Sequence, residues 1–328
     1  MALNYDNLSA LTRDKYIPLL VDNIFKSNIL CHRMLRKSKA SASGNKVLQP
    51  IEYAEASAKG WYSGYDVLDT SPTEVFTDAS YDWKQAYATI SISGKEEALN
   101  DGKERVIDLL EAKVKNAEKS IKKMFGAKLF SDANGSSDEG FMGLQHIAKV
   151  NREMGGIDSN DASEGESWWD GGHVGTGTAT YDNASNPSHA DNIVSDMREA
   201  YGKLTVGSDK PTLIVTSQIA FDAYEECLTA QKRFGASDKS LADAGFSNLL
   251  YRGTPVVVDD ECPAGKMFFI NEKYVQFRHH RKRNFSFEGF QKPINQDARV
   301  AKVLWLGALT CSNPRMQGVI GTLPVSYS

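Results

Sequence analysis

The sequence predicts a mixed α+β protein, and three observations carry that prediction. Two strand-like stretches, residues 46–54 and 81–93, bracket a long excursion. A helix far above the usual length follows them. The second half alternates apolar strands with amphipathic helices and ends on a long apolar strand, residues 299–312. Of the 328 residues, 41% are hydrophobic and 24% charged, enough to bury a sizeable core in water. The formal net charge is -4, without the basic excess of a typical nucleic-acid binder. No apolar run approaches the roughly 20 residues of a membrane span. The N-terminus, MALNYDNLSALTRDKYIPLL, lacks a charged-then-apolar leader pattern. The expectation is a cytoplasmic protein with no membrane partner. Cys31, Cys227, Cys262 and Cys311 are far apart and read as free thiols.

Residues 1–45 read as an arm. "YIPLLVDNIFKSNILCHRML" is amphipathic, with Leu20, Ile24, Cys31 and Leu35 at roughly helical spacing and Phe25 beside them. This segment has too little apolar mass to fold alone, so it must lie on something else. Residues 46–54, KVLQPIEYA, form a strand in which Pro50 marks a sheet edge, because proline has no N–H for a ladder. Residues 81–93, YDWKQAYATISIS, place Trp83, Ala86, Ala88, Ile90 and Ile92 in near-alternation. Between them lies "GWYSGYDVLDTSPTEVF", residues 60–76. Its glycines, serines, Pro72 and aspartates are loop residues. Yet it displays Trp61, Tyr62, Tyr65, Val67 and Leu68, which gain nothing from water. Loops this long are uncommon in compact domains unless they have a job.

Two capping-box patterns follow, Ser93-Gly-Lys-Glu96 and Asp101-Gly-Lys-Glu104. The second is the better start, because Asn100 and Gly102 are poor interior residues. From there Val106, Leu110, Val114, Ala117, Ile121, Met124 and Phe125 hold one face. Glu111 with Lys115 and Glu118 with Lys122 form i,i+4 pairs on the other. A helix from Gly102 to Leu129 spans about 40 Å, a strut along which something packs. Residues 131–187 read as a loop-rich surface insertion with short strands around 141–150 and 176–181. Ser188 caps a helix to about Leu204. "PTLIVTS", residues 211–217, is a buried strand, and Gln218 to about Lys232 a helix. "TPVVVDDE" and "KMFFINE" are strands on either side of a Cys262-Pro-Ala-Gly265 turn. "YVQFRHHRKRNFSFEGF" is a hairpin candidate, and "QGVIG" follows the long strand.

Strings that resemble chemical motifs read better as structure. "GGHVGTGTATY", residues 171–181, lacks the preceding strand, third glycine and following helix of a dinucleotide loop. Ser188, His189 and Asp191 are triad residue types, but neighbours on one helical turn cannot align nucleophile, base and orienter. Asp259, Asp260 and Glu261 at a strand end read as a solvated rim rather than a metal cluster. His32, His146 and His173 have no partners at ligand spacing. No catalytic residue, metal or cofactor is expected. The densest charge is "RHHRKRNF", with Arg278, Arg281, Lys282 and Arg283. It can face DNA phosphates, pair with acids of a neighbouring subunit, or stay solvated. Apolar material on segments without a core of their own suggests obligate assembly.

The order of parts, and the strings "VDNIF", "GWYSGYDVLDTSPTE", "SYDWKQAYATISISGKEE", "VIDLLEAK", "GTPVVVDDECPAGKMFFIN" and "WLGALTCSNPRMQGVI" taken together, resemble tailed-bacteriophage major capsid proteins of the Hong Kong 97 type. The likeness covers nearly the whole chain. It implies an N-terminal arm at 1–45 and an extended β-hairpin E-loop at 46–94 with its tip at 60–76. It further implies a P-domain with spine helix at 95–187, a central α/β A-domain at 188–272, and a return to the P-domain at 273–328. The implied function is a coat protein that self-assembles as pentamers and hexamers into an icosahedral shell around double-stranded DNA. Trp61, Tyr62, Tyr65 and Leu68 would form a tip interface, and Leu20, Ile24 and Phe25 an arm interface. The implied partners are further copies of the chain, a separate scaffolding protein, a portal protein, a cement or decoration protein, and DNA contacted non-specifically. The rival reading is an α/β small-molecule-binding protein or enzyme with the aromatic loop as a lid.

Overall fold

The computed structural model describes residues 28–41, 44–99, 103–136, 138–159, 166–176, 189–227, 249–321 and 323. The expected arm residues Leu20, Ile24 and Phe25, the cap Ser188 and the helical turn beyond residue 227 lie outside them, as do the side chains of Val106, Leu110, Glu111, Glu118 and Lys122.

The chain opens with helix α1 (Ile29–Arg36) and short strand β1 (Lys39–Ser41). Strands β2 (Lys46–Glu52) and β3 (Phe76–Asp82) pair antiparallel into a two-stranded ribbon, so Pro50 does sit on an edge. Only Trp83 separates β3 from β4 (Lys84–Ser93). Residues 76–93 are therefore one nearly continuous strand shared by the ribbon and the main sheet. The first capping box starts a helix; Asp101 and Gly102 of the second lie outside the described residues. Ser93 and Glu96 exchange hydrogen bonds of 3.0 and 3.2 Å at the head of α2 (Gly94–Leu99). The long helix α3 then runs over Lys103–Leu129.

The described residues between 131 and 176 are not a surface insertion, and the strand expected at 176–181 lies almost wholly outside them. Residues 144–148 are helical (α4, Leu144–Ala148) where a strand was expected, and the short strands are β5 (Glu153–Met154), β6 (Ile157–Asp158) and β7 (His173–Thr176). Phe141, Met142, Leu144, Ile147, Met154, Ile157 and Trp169 are all buried. The organiser is Arg152, itself buried. Its guanidinium donates to the carbonyl oxygens of His146 at 2.6 Å, Ile147 at 2.8 Å and Trp169 at 2.9 Å. An irregular segment can enter a core only if its carbonyls find donors, and one arginine supplies three of them.

Next come α5 (His189–Lys203), β8 (Leu213–Thr216), α6 (Gln218–Cys227), β9 (Leu249–Tyr251), β10 (Thr254–Val258) and β11 (Met267–Ile270). The chain finishes with β12 (Val275–His280), β13 (Ser286–Gln291), β14 (Ala298–Cys311) and β15 (Gly318–Gly321). One sheet has the order β7-β15-β11-β8-β10-β9. Strand β8 lies between β10 and β11, so the Cys262–Gly265 turn does not join paired neighbours. This sheet is covered on both faces. Leu213, Val215, Phe268 and Ile270 join the main core, whereas Ile214, Val256, Met267 and Phe269 pack under α5 and α6. Double burial explains why these strands read as unbroken apolar runs. Strands β7 and β15 join it from outside residues 188–272, so the sheet crosses the expected segment boundaries.

The second sheet is built on β14. Strand β4 pairs with it from Ala298↔Ser93 to Gly307↔Lys84 along one edge. Strand β12 pairs over residues 307–311 and β13 over 300–304, both antiparallel, on the other edge. The expected hairpin is therefore absent: β12 and β13 run end to end along β14. Between them residues 281–285 bulge out, with Phe285 at φ 51°. A 14-residue apolar strand offers more edge than either short partner can fill, so they share it. On the inner face Trp305 lies 5.0 Å from Phe125 of α3 and 5.9 Å from Phe141, centroid to centroid. Phe277 and Phe285 complete the cluster. Along α3, Val114, Ala117, Ile121, Phe125 and Leu129 are buried in one stripe, as the spacing predicts, whereas Met124 is 43% exposed.

Replacing Arg152 with Leu strips three buried carbonyls of their donors, at about 1–3 kcal/mol each. Urea denaturation should show a loss of at least about 3 kcal/mol. A loss below about 1 kcal/mol would mean that these carbonyls find other donors.

Candidate interaction surface

The ribbon carries a 23-residue tip, residues 53–75, between Glu52 and Phe76. Its root is tied down. The Tyr53 N–H donates to the Val75 carbonyl at 3.1 Å, and the Tyr53 ring stacks on Trp168 at 5.2 Å. Ser57 and Thr73 hydroxyls meet at 2.7 Å across it, and Glu55 pairs with Lys59. Further out, the Asp66 carboxylate accepts from the Ser63 N–H at 2.8 Å, closing a turn through Gly64 at φ 51°. Asp69 accepts from the Ser71 N–H at 2.9 Å, which holds its carboxyl below its ordinary range. The tip is thus locally shaped.

Its rings nonetheless face water. Trp61, Tyr65 and Val67 are essentially fully exposed, and Tyr62, Leu68 and Phe76 are more than half exposed. Folding back on the chain's own body is excluded for these residues. None of them lines the cavities found among the described residues, and the lid reading is not favoured. The four tip residues expected as an interface are each exposed.

An open groove of about 1040 Å³ runs between β4 and α3. Ala86, Ala88, Ile90, Ile121, Met124 and Trp305 supply its apolar lining, and Tyr87 stands exposed at its edge. Lys84, Lys113 and Lys128 also line it with one acid, Glu139, among the described residues, and Lys113 and Lys128 pair with Glu96 and Asp138 at its rim. The tip carries the opposite charge, with Asp66, Asp69 and Glu74 all exposed.

The expected basic cluster is split. Arg281, Lys282 and Arg283 project from the bulge between β12 and β13 and are exposed. The Arg283 carbonyl accepts from the Leu306 N–H at 2.8 Å, which holds the bulge against β14. Arg278 is instead half-buried on β12, donating to Gln49 at 3.0 Å. Residues 259–261 are not a solvated rim, because Asp259 is buried. Its carboxylate accepts from the Leu30 N–H at 3.4 Å and the Glu261 N–H at 3.1 Å. Burial still pushes it up to about 6. No group of three or more metal-ligating side chains occurs among the described residues. Cys31, Cys262 and Cys311 are free and buried, and burial raises all three thiols.

Sequence reasoning missed the anchor of the arm. Helix α1 packs into the chain's own core through Leu30, Cys31 and Met34. Glu272, with a side chain 4% exposed, accepts a forked pair from Arg33 at 2.9 and 3.0 Å and a bond from Lys37 at 2.7 Å. These bonds hold its carboxyl below the ordinary range against the opposing effect of burial. Gly126 marks where α1, α3 and the β10–β11 turn converge, since a Cβ there would lie 2.5 Å from Asn28 Nδ2 and 2.6 Å from Glu261 Cγ. An acid directly after the apolar run KMFFIN was the available signal for Glu272.

No protein-family model and no curated protein sequence matches the chain. Solved structures do. A chain of the cyanophage A-1(L) capsid asymmetric unit aligns with TM-score 0.60 at 13% identity, over 89% of this chain and 92% of that one. The capsid of a native GTA particle aligns with TM-score 0.59 at 16% identity, over 89% and 90%. The holo-SrpI encapsulin complex from Synechococcus elongatus gives 0.55 at 12% identity, over 90% and 89%. At these identities the likeness is one of fold, and the fold is that of phage-capsid and encapsulin chains.

Two buried acids give opposite pH signatures. The folded-state value of Glu272 is lowered, so its contribution is complete above the unfolded value near 4.5 and lost on acidification. Glu272→Gln should cost about 2 kcal/mol at pH 7, and that deficit should shrink as pH falls below 4.5 in urea titrations. Asp259 is raised, so the wild type should lose stability as pH climbs from about 4 to about 6. Asp259→Asn should flatten that window. An unchanged slope there would remove the assignment.

Proposed function

We propose that this chain is the repeating coat subunit of a tailed-phage head, assembling as hexamers and pentamers into an icosahedral shell around double-stranded DNA. The observation that carries the reading is the tip: large rings held in water at the end of a ribbon rooted in the main sheet. The fold shared with phage-capsid chains over about nine-tenths of the sequence supports it. In this reading β2, β3 and β4 with residues 53–75 form the E-loop of 46–94, and α3 is the spine helix of the P-domain in 95–187 and 273–328. Strands β8 to β11 with α5 and α6 are the core of the A-domain of 188–272, to which β7 and β15 add from outside that range, and residues 1–45 are the N-arm. Leu20, Ile24 and Phe25 would contact a neighbouring subunit.

The tip of one copy would seat its rings in the β4–α3 groove of the next, with Asp66, Asp69 and Glu74 toward the groove lysines. Each large ring buries about 150–250 Å². At roughly 25 cal/mol per Å² two rings contribute several kcal/mol, offset in part by ordering costs. Single contacts of that size are weak, and a closed shell multiplies them. A scaffolding protein, a portal protein and a decoration protein are the further partners of such a shell. Its place is the virion, with assembly in the host cytoplasm.

The test is the double variant Trp61→Ala with Tyr65→Ala. Circular dichroism and melting should match the wild type, because neither ring touches the folded body. Electron microscopy of chain expressed with its scaffold should show closed shells falling at least tenfold. Normal shells would sink the interface. Truncation of residues 1–27 leaves α1 in place and should likewise reduce shells while the melting temperature stays within a few degrees. An unchanged particle yield would argue against an assembly role for the arm.

A further inference from the structure

We infer that a second site, on the face of the β12–β14 sheet away from α3, binds a phosphate group. Along β12, Val275 and Phe277 point into the core, so Gln276 and Arg278 occupy the opposite face. There β12 meets Thr310 of β14, which is in register with Gln276, and Lys39 of β1, which is in register with Arg278. Gln49 of β2 lies over them and accepts from Arg278 at 3.0 Å. With Lys273, Tyr274 and Ser312 these groups enclose an open cavity of about 250 Å³.

The lining specifies the ligand's charge and size. Lys39, Lys273 and Arg278 line the cavity without a carboxylate, and because Lys273 is paired with Asp209 at 3.0 Å just outside, Lys39 and Arg278 supply its net positive charge. Asp209, which Lys273 and Tyr274 both contact, stands outside the lining. The remaining lining groups are hydroxyls and amides, which suit oxyanion oxygens. At 250 Å³ the cavity is smaller than the roughly 300–1,000 Å³ of a typical organic-ligand site. It does have room for a tetrahedral oxyanion with part of its water shell.

Arg278 supplies the strongest indication. One of its donors, Nη2, is occupied by Gln49, but its Nε–H is buried without an acceptor in the described structure. A buried guanidinium N–H is costly to leave unpaired. The arginine fork fits the oxygens of a phosphate bidentately once the side chain turns from Gln49, since its Nε–H is shielded from solvent in the present rotamer. The exposed Arg281, Lys282 and Arg283 a few residues along add a positive field that draws anions toward this face. The phosphate can be a free ion or a phosphodiester of nucleic acid, since both present the same oxygens. The site does not depend on what the chain assembles into.

The full chain would be melted in rising inorganic phosphate against chloride of equal ionic strength. The wild type should show a saturable rise in melting temperature. Arg278→Gln should weaken half-saturation at least tenfold. Lys39→Gln, at an exposed side chain, should do the same while melting like the wild type in chloride, which keeps the test valid if Arg278→Gln is destabilised. The pair Arg281→Gln with Arg283→Gln should leave half-saturation within twofold. A short double-stranded DNA oligonucleotide forms the second arm. Competition with phosphate, lost in the Lys39 and Arg278 variants, assigns the site to a nucleic-acid phosphodiester, and phosphate binding without competition assigns it to the free ion. A phosphate effect that never saturates, or that falls equally in the Arg281 and Arg283 pair, would overturn the site in favour of diffuse surface charge.

Discussion

The packing of Trp305 on Phe125 is the contact on which the architecture turns. It joins the longest described strand, paired along both edges, to the one described helix long enough to run beside it. With Trp305 in place, β14 can hold β4 on one side and both β12 and β13 on the other, and Phe141, Phe277 and Phe285 close around the same ring. Aromatic clusters of this kind combine a large buried area with edge-to-face geometry that resists sliding. Register in β14 is thereby pinned, and with it every side chain that β4, β12 and β13 present outward.

The division of labour between core and surface follows from that pin. One face of the main sheet is spent on the aromatic cluster and α3. The other face is free to be polar and cationic, as at Lys39 and Arg278. The helix runs beside β4, and an apolar groove stays open between them. A monomer has no reason to keep both that groove and the rings of residues 61–68 in water. In the proposed docking, the groove of one copy would cover the rings of another.

How much of this was legible in the sequence depends on whether local pattern or distant partners decide each part. Runs such as LIVT and MFFI announced strands because burial on both faces leaves no polar position. The stripe Val114, Ala117, Ile121 and Phe125 announced a helix through its spacing. The exposed rings of the tip conflicted with loop composition, and that conflict was itself the signal. Residues 141–169 misled because their glycines, aspartates and serines look solvated, while a single Arg152 makes them buriable. The hairpin reading of 275–291 failed because alternation marks a strand but not its neighbour, and β14 competes for both halves. Asp259 looked like a surface acid beside two others. Its burial comes from helix α1, more than two hundred residues away in sequence.

The near-continuous strand from Phe76 to Ser93 has a mechanical meaning. Anything that pulls on the tip along the ribbon loads β4 parallel to its own axis, against ten consecutive pairings with β14. Bonds strained in that direction share the force and must break together, whereas bonds at a frayed end would open one at a time. The tip is therefore tethered like a rope laid lengthwise in a seam. A container built from such subunits could swell under internal pressure by tilting its members before any of them began to unravel.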